Sequence, residues 1–205
     1  MTLKNAIAAL CLKSKFLKLS CFVFWIIFLA IQLLPNEIKA QDNDERNMPL
    51  MLGSSLPDDF WNKDFLIYND GDTTRRSLAS YKGKLIILDF WWSKCAICLA
   101  WMKEKEAVAS KFPRNVKLVY VNPLVTKDRF QNVLSIQDKL ENSSLHGTFS
   151  SIIEDDYIHK LFPSGGYPRY VLISPRGNFI ALSSMSNINE PNIRSILKDY
   201  KLKDE

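Results

Sequence analysis

Residues 85–98 read Leu85-Ile-Ile-Leu-Asp-Phe-Trp-Trp-Ser-Lys-Cys-Ala-Ile-Cys98. The first eight of them are apolar apart from Asp89 and lack the alternation of a half-exposed strand, which predicts a central strand buried on both faces. Apolar spacing from Ala96 to about Phe112 then predicts a helix that Pro113 ends. The two cysteines therefore lie where a buried strand gives way to a helix.

The flanking segments predict an alternation of strands and helices. Strands are expected at 65–68, 73–74, 116–121, 149–153, 170–174 and 179–183, and helices at 128–140, 156–162 and 192–200. The first two strands form a hairpin across a polar turn, and the last two form another across Pro175-Arg-Gly-Asn178. This order predicts an α/β fold in which helices flank a central mixed sheet.

Composition sets the size and class of the protein. The chain has 205 residues, of which 47% are hydrophobic and 24% charged. Such a chain forms one domain with a sizeable core, and its composition excludes intrinsic disorder. Four cysteines in this length also exclude a disulfide-dense scaffold.

The formal charge of +5 is concentrated at the N-terminus. Residues 1–40 hold five lysines and one glutamate, whereas residues 41–205 hold 22 basic and 21 acidic side chains. The predicted domain is thus almost neutral. Nucleic acid is excluded as a partner, because its binding requires a basic surface.

The N-terminal segment predicts export. Four lysines precede the apolar run 21–34, which at about 14 residues is typical of a secretory signal and short for a membrane span. Cleavage before Gln41 and retention as an N-terminal membrane anchor both stay open. We therefore expect residues 1–40 to be a signal peptide or anchor, 41–50 a linker and 51–205 the domain, located in the periplasm or cell envelope.

Outside the leader, the only cysteines are Cys95 and Cys98, spaced C-x-x-C. A structural disulfide closing so short a loop constrains the unfolded chain by only about 2 kcal/mol. A zinc site needs four ligands, and the remaining candidates, His146 and His159, are isolated. A structural disulfide and a zinc site both stay open, but the C-x-x-C spacing favours a redox-active pair that binds no metal.

The position of the pair explains that chemistry. A cysteine at a helix N-terminus faces free backbone N–H groups, which favour its thiolate, and the thiolate is the form that attacks a disulfide. Cys98, one turn later, can then resolve the mixed disulfide formed at Cys95. Burial should raise the pKa of Asp89 and suit it to proton transfer with Cys98, unless Asp89 lies exposed at the strand end.

Two segments carry a family resemblance. Asp89-Phe-Trp-Trp-Ser-Lys-Cys-Ala-Ile-Cys98 resembles the thioredoxin active-site segment, and Gly166-Tyr-Pro-Arg-Tyr-Val-Leu-Ile-Ser-Pro-Arg-Gly177 resembles the later segment with its cis-proline. With the leader, they make the chain similar to exported TlpA/ResA-like thioredoxin-fold proteins over residues 50–200. Residues 124–154 would be the helix-and-strand insertion of that family.

The resemblance implies roles for individual residues. Cys95 would be the attacking thiol, Cys98 the resolving thiol with which it forms the disulfide, and Asp89 the buried acid. Trp91 takes the place of the tryptophan packed beside the active site and is counted among the substrate-binding residues.

The remaining substrate-binding residues would border a groove. Pro168 would be the cis-proline against the disulfide, and the backbone of Tyr167 would pair with a bound substrate strand. We expect Trp92 to line the same groove and Lys94, beside Cys95, to favour the thiolate. Arg169 departs from the family pattern, which has a small threonine after the proline.

The resemblance also implies a function. The protein would be an exported thiol-disulfide oxidoreductase that reduces client proteins such as apocytochrome c, with electrons from an integral-membrane thiol carrier and no cofactor. Two alternatives stay open: a disulfide-forming oxidant, and a redox-silent module that holds an extended peptide. A peroxiredoxin is disfavoured because Trp92 replaces the threonine it needs three residues before its cysteine.

Overall fold

The computed structural model describes Ile26, residues 49–163 and residues 165–202. The predicted leader, apart from Ile26, and most of the predicted linker lie outside the described residues. The chain divides between Asp42 and Asn43 into two units, and the fold below is that of the second. Among the described residues, no helix is both long enough and apolar enough to cross a bilayer.

The second unit contains seven strands and five α-helices within the described residues. The strands are β1 Phe65–Asn69, β2 Asp72–Arg76, β3 Leu85–Phe90, β4 Val116–Pro123, β5 Ser150–Asp155, β6 Arg169–Ile173 and β7 Phe179–Ser183. The helices are α1 Ala96–Ala109, α2 Phe130–Leu134, α3 Gln137–Ser143, α4 Tyr157–Leu161 and α5 Glu190–Asp199.

All seven strands form one mixed sheet in the order β2-β1-β5-β4-β3-β6-β7. The neighbours β3, β4 and β5 run parallel, and every other pair is antiparallel. The predicted α/β fold with a mixed sheet is confirmed, as are the N-terminal and C-terminal hairpins. The active-site end of β3 thus lies inside the sheet, flanked by β4 and β6.

Strand β3 is the centre of the core. All six of its residues are buried, and its side chains alternate between two apolar clusters. Ile86, Leu88 and Phe90 belong to one cluster, whereas Leu85 and Ile87 belong to the cluster on the opposite face. Because both faces of β3 are packed, a shift in its pairing register would disrupt both clusters. The position of the loop that follows β3 is therefore fixed.

The segment between β4 and β5 differs from the sequence prediction of one helix over 128–140. The helix breaks after Leu134, where the Ser135 hydroxyl donates a hydrogen bond to the Asn132 carbonyl at 2.8 Å and Ile136 leaves the helical region with φ −119° and ψ 17°. Serine offers such local bonds in competition with the helix. Val133 before the break and Leu140 after it belong to the same buried cluster.

Candidate active site

Cys95 is the last of the five residues that connect β3 to α1, and Cys98 is the third residue of α1. The Cys95 N–H donates to the Trp92 carbonyl at 3.0 Å, which closes a turn, and α1 begins at Ala96 with Cys95 as its N-cap. The Cys98 N–H donates to Cys95 Sγ at 3.2 Å. A sulfur in this position receives one of the backbone donors that a helix start leaves without an intrahelical partner.

The two cysteines are joined by a disulfide, with their Cα atoms 5.2 Å apart. Cys95 is 6% exposed and Cys98 2% exposed. Ile97, which lies between the two cysteines in the sequence, is 50% exposed, so the pair lies just below the protein surface. Of the two sulfurs, the one at the helix N-cap belongs to the less buried residue.

Residues from the second predicted segment meet the pair. The peptide bond between Tyr167 and Pro168 is cis, as the resemblance implies. Tyr167 and Trp92 are both partly buried, and both pack on the apolar cluster that contains Cys95 and Cys98. Lys94 is exposed beside Cys95. The structure thus brings the two sequence segments together at one end of β3.

Trp91 lies in the protein interior, whereas a substrate-binding residue would be at the surface. Its side chain is fully buried, its indole N–H donates to Ser151 Oγ at 2.9 Å, and its ring makes an edge contact with Phe149 at 5.3 Å. The expectation that Trp91 binds substrate needs correction, because an interior ring has no surface to offer. Trp91 instead packs in the same cluster as the cysteines and supports them from within.

Asp89 is buried in β3, with Tyr120 of β4 and Tyr170 of β6 opposite it in the sheet. Burial raises the pKa of Asp89 well above its usual value, and the positive charge of Lys105 opposes part of that shift. Its Oδ1 atom has no hydrogen-bond partner among the described residues. The side chain therefore favours the protonated form, and the alternative of an exposed strand end does not hold.

The sequence analysis missed Lys105. This lysine of α1 is 1% exposed, and its Nζ lies 3.3 Å from the Ile188 carbonyl oxygen, 3.4 Å from Glu104 Oε1 and 5.0 Å from the centre of the Trp101 ring. A buried ammonium needs such partners to offset its lost hydration. The signal was present in the spacing, since Lys105 falls on the inner stripe of α1.

The residues opposite Asp89 share its dry surroundings. Burial raises the pKa of Tyr120 well above its usual value, and the charges of Asp89 and Glu106 add to that effect. The Tyr120 hydroxyl lies 3.2 Å from Glu106 Oε1. Burial likewise raises the pKa of Tyr170, and a charge on Asp89 raises it further. Ionised Asp89 would thus face two neutral phenols and one ammonium.

Within residues 49–163 and 165–202, no three acidic, histidine or cysteine side chains gather in a way that could hold a metal ion. The described site holds the disulfide of Cys95 and Cys98 together with two buried charged residues, Asp89 and Lys105.

The fold is similar to that of solved structures. One is the thioredoxin domain of a thiol-disulfide oxidoreductase from Bacteroides vulgatus, with a TM-score of 0.54 at 18% identity, covering 71% of this chain and 97% of that one. The chain has the thioredoxin fold. This confirms, at the level of fold, the resemblance stated from the sequence.

Other proteins with the thioredoxin fold match over similar lengths. A secreted disulfide oxidoreductase from Mycobacterium tuberculosis, described as homologous to Escherichia coli DsbE, gives a TM-score of 0.50 at 18% identity and covers 68% of this chain and 99% of its own. PrxQ from Xylella fastidiosa gives 0.53 at 16% identity and covers 74% and 98%. No protein-family model and no curated protein matches the chain.

The raised pKa of Asp89 predicts how stability depends on pH. The native state keeps this proton to higher pH than the unfolded chain, so wild type loses stability as pH rises from the unfolded pKa near 4. Asp89→Asn does not titrate. We expect its free energy of unfolding, relative to wild type, to increase between pH 4 and pH 8, by about 1.4 kcal/mol for every pH unit over which Asp89 is ionised only in the unfolded chain.

Denaturant unfolding of both oxidised proteins at several pH values measures this difference. Asp58→Asn is the control, because it makes the same change at an exposed carboxylate. Parallel stability curves for wild type and Asp89→Asn would contradict the assignment of a protonated buried acid.

Proposed function

We propose that the protein is an exported thiol-disulfide oxidoreductase that reduces client disulfides through Cys95 and Cys98. The observation that carries this proposal is the joined sulfur pair at the N-terminus of α1, with the cis-proline segment packed at the same site. Because the fold alone hosts several activities, the site and not the fold is the basis of the argument.

The reaction proposed has two exchange steps. The Cys95 thiolate attacks one sulfur of the client disulfide, a new S–S bond forms, and the other client sulfur leaves as a thiolate that takes up a proton. Cys98 then loses its proton and attacks Cys95 Sγ, which releases the second client sulfur. The pair loses two electrons and two protons, and the client gains both.

The assignment of Cys95 to the first step follows from its surroundings. Its sulfur accepts the Cys98 N–H and lies at the positive end of the α1 dipole, and both favour the thiolate. Cys98 is more deeply buried, which suits a thiol that reacts only inside the mixed disulfide. We assign Asp89, with its raised pKa, as the group that takes the Cys98 proton from its ionised form and returns it from its protonated form.

The client segment is proposed to lie across Pro168 as an extended strand paired with the backbone of Tyr167. The half-buried ring of Trp92 and the exposed ammonium of Lys94 border this position. These contacts rest on the burial and cluster membership of the residues and on the roles that the resemblance implies.

Export and electron supply complete the proposal. The lysines and the apolar run 21–34 support export to the periplasm or cell envelope, with membrane association through that run if it is not cleaved. The secreted disulfide oxidoreductase among the structural neighbours is consistent with this location. In an oxidising compartment the pair must be reduced again, and an integral-membrane thiol carrier would supply the two electrons.

Catalysis of insulin reduction tests the proposed exchange. With dithiothreitol as the electron source, we expect the full chain to accelerate precipitation of the insulin B chain and Cys95→Ser to return the rate to background, because the attacking sulfur is gone. Ala100→Ser places the same hydroxyl at an exposed position of α1 and should keep the wild-type rate. A wild-type rate equal to background would refute the exchange activity.

The reduction potential separates a reductant from an oxidant. We expect the Cys95–Cys98 couple to equilibrate with thiol buffers near the thioredoxin value of about −270 mV, where the pair donates electrons to most client disulfides. A potential near about −120 mV would instead assign disulfide formation. An inert pair that equilibrates with no thiol buffer would favour the redox-silent peptide-binding module.

A further inference from the structure

The loop before Cys95 is fastened to a residue distant in the sequence. Ser93 donates two hydrogen bonds to Asp128, one from its N–H to Oδ2 at 2.6 Å and one from its hydroxyl to Oδ1 at 2.7 Å. Both carboxylate oxygens of Asp128 therefore accept hydrogen bonds from Ser93, which lies two positions before Cys95 in the sequence. Asp128 is only 3% exposed, so water competes little for these bonds.

Asp128 is itself held in place from β4. The side-chain amide of Asn122, a fully buried residue of β4, donates to Asp128 Oδ2 at 2.8 Å. The Asp128 N–H donates to Thr126 Oγ1 at 3.2 Å, and that hydroxyl donates to the Pro123 carbonyl at 2.7 Å. The carboxylate is thus a rigid bridge between the end of β4 and the loop that carries the pair.

The same carboxylate acts on the other side of the site. Burial raises the pKa of Tyr167, and the negative charge of Asp128 raises it further, which places the carboxylate within electrostatic reach of the residue before the cis-proline. Lys94, which lies between Ser93 and Cys95 in the sequence, is exposed to solvent. Asp128 is therefore bonded to one of the two chain segments that form the site and acts electrostatically on the other.

Other charged groups surround the pair from the elements packed against it. Asp89 lies in β3 and Lys105 in α1, both buried. Lys94 and Arg129 flank the two ends of the bridge, and Arg129 Nη1 donates to the Asp128 carbonyl at 3.0 Å. Among the described residues around the pair, Asp128 is the buried carboxylate bonded to the active-site loop itself.

We propose that Asp128 is a positioning residue that fixes Cys95 through Ser93 and makes the reduction potential of the Cys95–Cys98 couple more negative. The inference rests on the proposed exchange activity. Reduction creates negative charge on Cys95, and the Asp128 carboxylate is bonded to Ser93, whose Cα lies at most about 7 Å from the Cα of Cys95. A fixed carboxylate bonded to this loop disfavours the thiolate and so favours the oxidised pair.

The test removes the charge and keeps the shape. In Asp128→Asn, the pH midpoint for alkylation of Cys95 should fall by about half a unit, about a threefold rise in thiolate at low pH. The reduction potential should become less negative. Asp138→Asn, an exposed acid on α3 of the same insertion, is the matched control and should change neither value.

Ser93→Ala gives an independent readout in case Asp128→Asn does not fold. It removes one donor from the carboxylate and keeps the carboxylate charge. We expect the alkylation midpoint to rise and the potential to become more negative, opposite to Asp128→Asn, whereas Ser93→Thr keeps the hydroxyl and should stay near wild type. A loss of packing alone would not give shifts of opposite sign.

The outcomes separate this inference from the proposed function. Midpoints and potentials of Asp128→Asn or Ser93→Ala that match Asp138→Asn would overturn the role of Asp128, even if wild type reduces insulin. If wild type fails to reduce insulin while Asp128→Asn shifts the potential as expected, the proposed function falls and the electrostatic role of Asp128 is retained.

Discussion

The site depends on one junction, at which a strand without a free face ends and a helix begins on a cysteine. Because β3 is buried on both sides, its end cannot shift, and the turn from Trp92 to Cys95 delivers the first sulfur to the start of α1. There the Cys98 N–H points at Cys95 Sγ. The position of the β3 end thus decides whether the Cys98 N–H can reach Cys95 Sγ, and this hydrogen bond favours the Cys95 thiolate.

Three charged residues around this junction are buried. Asp89 and Lys105 are both buried; the charge of Lys105 opposes part of the rise in the pKa of Asp89, and the Ile188 carbonyl and Glu104 lie within bonding distance of the Lys105 ammonium. In front of the junction, Asp128 supplies a second carboxylate that is fully hydrogen-bonded. The site therefore contains one acid that favours its protonated form, Asp89, and one acid whose carboxylate accepts three hydrogen bonds from two residues, Ser93 and Asn122.

Local sequence patterns predicted the parts of the fold that local physics decides. The apolar run of β3, the helix after the cysteines and the Pro175-Arg-Gly-Asn178 hairpin each follow from neighbours in sequence, and the structure has them. The cis bond before Pro168 came from the resemblance and not from periodicity. The break after Leu134 escaped prediction because the serine hydroxyl competes with a helix that the apolar pattern favours.

Contacts between distant residues explain the other differences. Nothing near Asp128 indicates that it bonds Ser93, which is 35 positions away. Lys105 falls on the inner stripe of α1, but its partner, the Ile188 carbonyl, is 83 positions away in the sequence and could not be read from that spacing. Trp91 stands next to the active-site loop in sequence, but the strand alternation turns its ring to the interior, where Ser151 of β5 accepts its N–H.

The central claim is that Cys95 forms the covalent link to a client and Cys98 breaks it. Mass spectrometry of Cys98→Ser after incubation with an oxidised client protein tests this most directly, because the variant cannot resolve the intermediate. The account predicts an adduct of one client chain, removed by dithiothreitol and mapped to Cys95. Absence of that adduct, together with a client adduct at Cys98 in Cys95→Ser, would contradict it.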